Sequence, residues 1–210
     1  MKGLYFVTDR GLCGRRPLYE VVLQAVQGGA AVVQIREKEM ATRPFVEEAA
    51  RIKKIIEPFG VPLIINDRMD VALASGADGV HIGQDDMPYE VVRRWMGPDA
   101  IIGLSVEKWE DVERAQDMDV NYLGVSPVFE TPTKTDTKSA WGLEGVARIR
   151  AFSHHCLVAI GGLNASNAGA VVRVGADAVA VVSAICAARD PLQASRELHE
   201  VIHRAMVERR

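Results

Sequence analysis

Eight short apolar runs divide the chain: LYFVTD (4–9), AVVQIRE (31–37), PLIIND (62–67), GVHIG (79–83), IIGLSV (101–106), YLGVSPVF (122–129), LVAIGGL (157–163) and AVAVVSAI (178–185). Most are continuous rather than alternating, the pattern of strands buried on both faces. Between them the apolar period lengthens. Residues 17–28 put Leu18, Val21, Val22 and Ala25 on one helix face, and residues 43–57 do the same with Phe45, Ala49, Ile52 and Ile56. Thr42 and Asn164 are expected N-caps, and a last helix spans about 190–207.

The alternation has an internal echo. GGAAVV (28–33), SGADGV (75–80) and VGADAV (174–179) each close a helix and open a strand, so one βα unit is used repeatedly. Alternating strands and helices give parallel sheets. Eight units in 210 residues fit one closed (β/α)8 TIM barrel over 1–210. An open doubly wound sheet would carry a G-x-G-x-x-G after its first strand, and this chain has none there.

Composition narrows the classes. The chain is 48% hydrophobic and 25% charged, with a formal net charge of −3, and it has no long basic run, so nucleic acid is not an expected partner. No apolar stretch reaches the roughly 18 residues of a membrane span, and MKGLYFVTDRG lacks a signal-peptide pattern. The expectation is a cytoplasmic protein. Cys13, Cys156 and Cys186 are widely spaced with no C-x-x-C pair, and the latter two read as small core residues.

In such a barrel, chemistry collects at the strands' C-terminal ends. The second strand ends QIREK. Alternation puts Gln34, Arg36 and Lys38 on one face, with Ile35 and Glu37 on the other. Cations on an inward face call for an anion to meet them; an Arg–Glu ion pair at the rim is the simpler account. The third strand ends in Asn66 and Asp67, and the fourth is followed by Gln84, Asp85 and Asp86. Acids from adjacent strand ends can share a Mg2+ with phosphate oxygens, or simply cap the next helices. Ser105 could cap a helix or put a hydroxyl at the mouth. Gly161, Gly162 and Ser183 offer backbone N–H groups where barrels commonly hold phosphate. VFETPTKTDTK (128–138) follows strand six with no helical or strand period; Thr131, Thr133 and Lys134 there are suited to touch anions.

Taken in order, QIREK, IIND, HIGQDDMP, GLS, TPTKTD, AIGG and VVS resemble the thiamine phosphate synthase family over nearly the whole chain. The resemblance implies condensation of 4-amino-2-methyl-5-hydroxymethylpyrimidine diphosphate with the phosphate of a hydroxyethyl-thiazole, plain or carboxylated. Products would be thiamine monophosphate and diphosphate, by a dissociative path through a pyrimidine cation. It implies a pyrimidine-diphosphate site of Gln34, Ile35, Arg36, Glu37, Lys38, Asn66, Ser105 and Lys134. Asp67 and Asp86 would bind Mg2+. Thr131, Pro132, Thr133, Gly162, Val182 and Ser183 would hold the thiazole phosphate. Arg36, Lys38, Ser105 and Lys134 would carry the catalytic work. Partners implied are the two small-molecule substrates, with a homo-oligomer allowed and neither nucleic acid nor membrane.

Two rivals share the barrel. A thiazole tautomerase also has VFET after strand six but carries a histidine where this chain has Pro127. A non-catalytic phosphate-binding regulator would show degraded motifs. HEVIH (199–203) matches the zinc pattern H-E-x-x-H, but it falls on the outer last helix with no evident third ligand. Departures from the family pattern are Glu130, where proline is common, and KSAWG (138–142), where Trp141 could reshape the loop.

Overall fold

The computed structural model describes residues 1–130 and 140–209. Eight parallel strands close into a barrel in sequence order, β1 pairing with both β2 and β8. The strands are β1 (Gly3–Val7), β2 (Ala30–Ile35), β3 (Leu63–Asn66), β4 (Gly79–Ile82), β5 (Ile101–Val106), β6 (Tyr122–Val125), β7 (Cys156–Ile160) and β8 (Ala178–Val181). The helices up to β5 are α1 (Arg10–Cys13), α2 (Leu18–Gln27), α3 (Thr42–Ile56), α4 (Met69–Ser75) and α5 (Tyr89–Met96). Beyond it come α6 (Trp109–Ala115), α7 (Gly142–Phe152), α8 (Ala168–Arg173), α9 (Ser183–Cys186) and α10 (Pro191–Glu208). Among the described residues no helix is long and apolar enough to cross a membrane.

Burial on both strand faces explains the continuous apolar runs. One face of each strand meets the helices: Leu4, Phe6, Val33, Ile35, Leu63 and Ile65 belong to that outer layer, with the predicted helix faces of α2 and α3 against them. The other face fills the barrel with Tyr5, Val7, Val32, Ile64, Tyr122, Val158, Ala178 and Ala180. The last helix, α10, packs on α2, α8 and β1, and so covers the seam where β1 meets β8.

The sequence echo has a physical role. Just before β4, Asp78 accepts a hydrogen bond from Leu63 N (2.7 Å) at the start of β3 and pairs with Lys53. Just before β8, Asp177 accepts from Leu157 N (3.0 Å) and pairs with Arg150 and Arg209. Asn121, before β6, accepts from Ile102 N (2.8 Å) in the same way. Three even-numbered strands thus each tie down the strand before them at the end opposite the cavity described below.

Several boundaries differ from expectation. Val182 leaves the β region at φ −114°, ψ −79°, and Ser183–Cys186 is a helical turn rather than the end of strand eight. A buried apolar run does not distinguish the two. Ala41, not Thr42, caps α3. With Thr42 as cap, Pro44 would take one of the two positions that can donate back, and it has no N–H; the Thr42 hydroxyl instead accepts from Arg68 (2.8 Å). Asn164 closes a turn through Ser166 N (2.9 Å), one turn ahead of α8. Cys156 and Cys186 do sit in or beside the core, but Cys13 and Cys186, distant in sequence, are hydrogen-bonded neighbours across the seam.

Candidate active site

A cavity of about 990 Å³ opens at the C-terminal ends of the strands and reaches down to Tyr5 and Tyr122 inside the barrel. Its walls are built strand by strand. On β2, Gln34 and, beyond the strand end, Arg36 and Lys38 face the cavity. Thr8 fixes this stretch: its N–H donates to Gln34 O (2.9 Å) and its hydroxyl accepts from Arg36 N (3.1 Å). Ile35 is buried in the outer core, and the Glu37 carboxylate accepts from Arg10 (2.9 Å). Neither side chain reaches the cavity wall, so their expected part in the site is not a side-chain part. The rim ion pair exists, but its cation is Arg10 rather than Arg36.

Asn66 and Asp67 follow from β3, and Asp85 and Asp86 from the loop after β4. Asp67 is the one non-glycine residue with positive φ (63°) among the described residues, held by its N–H to His81 O (2.8 Å). That backbone turns its carboxyl to Asp86, with which it is hydrogen-bonded. Burial first, and then the Asp86 carboxylate, push the Asp67 carboxyl up to about 6, while Lys38 and Arg36 pull the other way. Asp86 Oδ2 accepts from Gly83 N (2.7 Å), which pins its loop. Neither acid caps a helix: the N-cap positions of α4 and α5 are Arg68 and Pro88, and neither makes a side-chain cap. Two acids in contact beside two cations are a donor set that fits a divalent ion, which would take the place of a shared proton.

Ser105 also does not cap a helix; its hydroxyl meets His81 Nε2 (2.8 Å). Gln84 donates to Ser105 O (2.6 Å) and accepts from Arg114 (3.1 Å). On the β7–β8 side, Gly161, Gly162, Val182 and Ser183 line the wall. A side chain at Gly162 would lie 2.8 Å from Glu130 O, so glycine there allows the β6 and β7 loops to approach. Thr131, Pro132, Thr133 and Lys134 lie outside the described residues. The segments flanking them are anchored: Phe129 N donates to Gly161 O (3.1 Å), Trp141 N to Pro127 O (2.9 Å) and Trp141 Nε1 to Val106 O (3.3 Å). Pro127, where the tautomerase would carry histidine, packs on Gly161.

Sequence reasoning missed Tyr122, Lys108 and Arg114, all in the wall. Tyr122 had a signal. Gly103 lies under its ring, where a Cβ would come 2.0 Å from Cζ, and Gly124 lies under His81. Glycine inside a strand marks such close approaches. Lys108 and Arg114 had none, because cations on a helix are ordinarily solvated. The two histidines of HEVIH stack 6.0 Å apart on α10, and the His199 ring packs on Gly29.

A family model described as thiamine monophosphate synthase matches residues 4–185. A protein of Albidiferax ferrireducens described as thiamine-phosphate synthase is 53% identical over 199 residues, covering 95% of this chain and 91% of that protein. One of Leptospira biflexa with the same description is also 53% identical over 199 residues, covering 93% and 95%. A solved structure of thiamine phosphate pyrophosphorylase from Pyrococcus furiosus superposes with a TM-score of 0.89 at 37% identity, covering 97% of this chain and 96% of that one. A 3-hexulose-6-phosphate synthase structure superposes at 0.69 with 17% identity, which speaks for the fold alone.

Proposed function

The chain belongs to the thiamine monophosphate synthase family, and from that premise we propose that it joins 4-amino-2-methyl-5-hydroxymethylpyrimidine diphosphate to a hydroxyethyl-thiazole phosphate. The products are thiamine monophosphate and diphosphate, with CO2 as well when the thiazole is carboxylated. The contact between Asp67 and Asp86 beside Arg36 and Lys38 carries this reading. It supports a seat for a diphosphate and its counter-ion at one end of the cavity. Gly162, Val182 and Ser183 line the opposite side, suited to the second phosphate.

The chemistry follows from charge. The C–O bond to the diphosphate breaks heterolytically, and the leaving group takes the electron pair. The electron-rich aminopyrimidine stabilises the methylene cation that remains. The thiazole nitrogen then gives its lone pair to that carbon. Arg36, Lys38 and Lys134 neutralise the departing charge, Asn66 and Ser105 orient the pyrimidine portion, and Thr131, Pro132 and Thr133 complete the thiazole-phosphate side. Mg2+, held by Asp67 and Asp86, supplies further neutralisation of the diphosphate when bound. The chain itself provides no covalent nucleophile in this scheme; its work is positioning and preorganised charge.

The test is direct. The protein, both precursors and Mg2+ should give thiamine monophosphate and equimolar diphosphate, and chelation of the metal should stop both. Arg36→Ala and Lys134→Ala should each lower turnover by about 10²–10³ with thermal midpoints near that of the parent. Product formed equally well without metal, or near-normal turnover in either variant, would refute the neutralisation scheme.

A further inference from the structure

Five side chains form a continuous hydrogen-bonded chain across the cavity floor, and the function above uses only Ser105, at one end of it. Gln34 Nε2 donates to Tyr5 Oη at 2.8 Å. Tyr5 Oη and Tyr122 Oη are 2.7 Å apart. Tyr122 Oη meets His81 Nδ1 at 2.9 Å, and His81 Nε2 meets Ser105 Oγ at 2.8 Å.

Proton inventory gives the chain a direction. An amide nitrogen only donates, and a phenol has one proton. Tyr5, receiving from Gln34, passes its proton towards Tyr122; Tyr122 passes its own to His81 Nδ1. A ring nitrogen that accepts is bare, so the neutral imidazole carries its proton on Nε2, facing Ser105 Oγ. The Ser105 hydroxyl proton is then turned from the ring into the cavity. At the other end the Gln34 nitrogen is committed to the phenols, which leaves Oε1 to the cavity. Reversing the chain while every phenol proton stays hydrogen-bonded requires Gln34 to flip and every proton to move. Burial pushes both phenols well above the ordinary tyrosine range, so neither ionises to break the sequence.

We infer that Tyr5, Tyr122 and His81 are positioning residues that hold Gln34 oxygen-first and Ser105 proton-first towards the substrate, and that this polarity selects an aminopyrimidine over the corresponding oxopyrimidine. The inference rests on the cavity being the pyrimidine site proposed above. A carbonyl oxygen accepts from an exocyclic N–H; an oxo group in its place would set two acceptors face to face with no proton between them. A site built around a hydrogen bond rejects the analogue that lacks it, and an unpaired buried acceptor is enough for roughly 100-fold discrimination. The same contact strengthens as positive charge spreads into the amino group during C–O cleavage, so disrupting the chain should lower kcat more than it raises KM.

The first experiment needs no substrate. In the full chain labelled with 15N-histidine, with His81 assigned by loss of its signals in His81→Gln, the His81 ring should show a protonated Nε2 and a bare Nδ1 at neutral pH. An Nδ1–H ring overturns the polarity. The second compares the 4-amino diphosphate with its 4-oxo analogue. The parent should prefer the amino form by about 100-fold in kcat/KM. Tyr122→Phe should reduce the preference to about tenfold or less, and its His81 ring should average between tautomers. Undiminished preference in Tyr122→Phe, or in Tyr5→Phe should the former not fold, overturns the positioning role. An Nε2–H ring in a protein that turns over neither pyrimidine refutes the proposed function and the selectivity, while supporting the polarity.

Discussion

Asp67 is the residue at which folding pulls against the metal-binding role proposed for it. Its carboxyl is raised to about 6, chiefly by burial and then by Asp86. A raised folded-state value means that its contribution to stability is complete below the unfolded value near 3.8 and is lost as pH climbs through about 6. At pH 7.5 the metal-free protein therefore carries an acid–acid repulsion. Asp67→Asn, which also suits a left-handed backbone, should raise the metal-free thermal midpoint by a few degrees at that pH. The gain should vanish near pH 4, and Mg2+-dependent turnover should be lost. A variant less stable than the parent at pH 7.5 would show that the repulsion does not act. Alternation along QIREK made Gln34 legible as inward-facing, because a strand allows only two directions; Arg36 and Lys38 also reach the cavity, although β2 ends at Ile35. The Asp67–Asp86 contact was legible only as adjacency of two strand ends; the backbone that turns Asp67 towards its partner leaves no mark in composition. Tyr122 escaped because an aromatic at a strand start reads as core on either face.

Among elements, the repeated βα unit was the clearest signal, and its aspartates are structural. Asp177 joins the start of β7, Arg150 and Arg209 at the end of the barrel remote from the cavity. Asp177→Ala would leave the Leu157 N–H and two guanidiniums without this carboxylate. Unfolding titrations should show a loss of about 2 kcal/mol, while KM for both substrates stays at the parent value. A changed KM with unchanged stability would place Asp177 in function instead. The echo was readable because the same junction recurs; Asn121, which does the same work before β6, was hidden by its different chemistry. For the reverse reason β8 is shorter than its run: AVAVVSAI is apolar but for Ser183, and only the backbone shows where strand becomes helix.

For the molecule as a whole, closure of the barrel brings the acids that follow β3 and β4 and the glycines and Ser183 that follow β7 and β8 around one cavity. Ligands that bind only this closed form should stabilise all of it. Mg2+ and inorganic diphosphate together, at about 100 times their joint dissociation constant, should add about 2.7 kcal/mol, or roughly 5–10 °C in Tm for a chain of this size. Either alone should give much less. Equal shifts from diphosphate with and without the metal would separate the acid pair from the anion seat. The barrel itself was legible almost throughout, since eight buried runs in sequence order admit few other arrangements. The hydrogen-bonded floor was not, because it joins residues that the sequence holds far apart. Its members come from β1, β2 and β4 on one side and from β5 and β6 on the other. A break in the backbone between Met96 and Ile101 would therefore divide Tyr5, Gln34 and His81 from Ser105 and Tyr122. Two such fragments would be individually inert, and activity on mixing them would report their reassembly. Doubling either fragment could reproduce the barrel's outline, yet never its working interior.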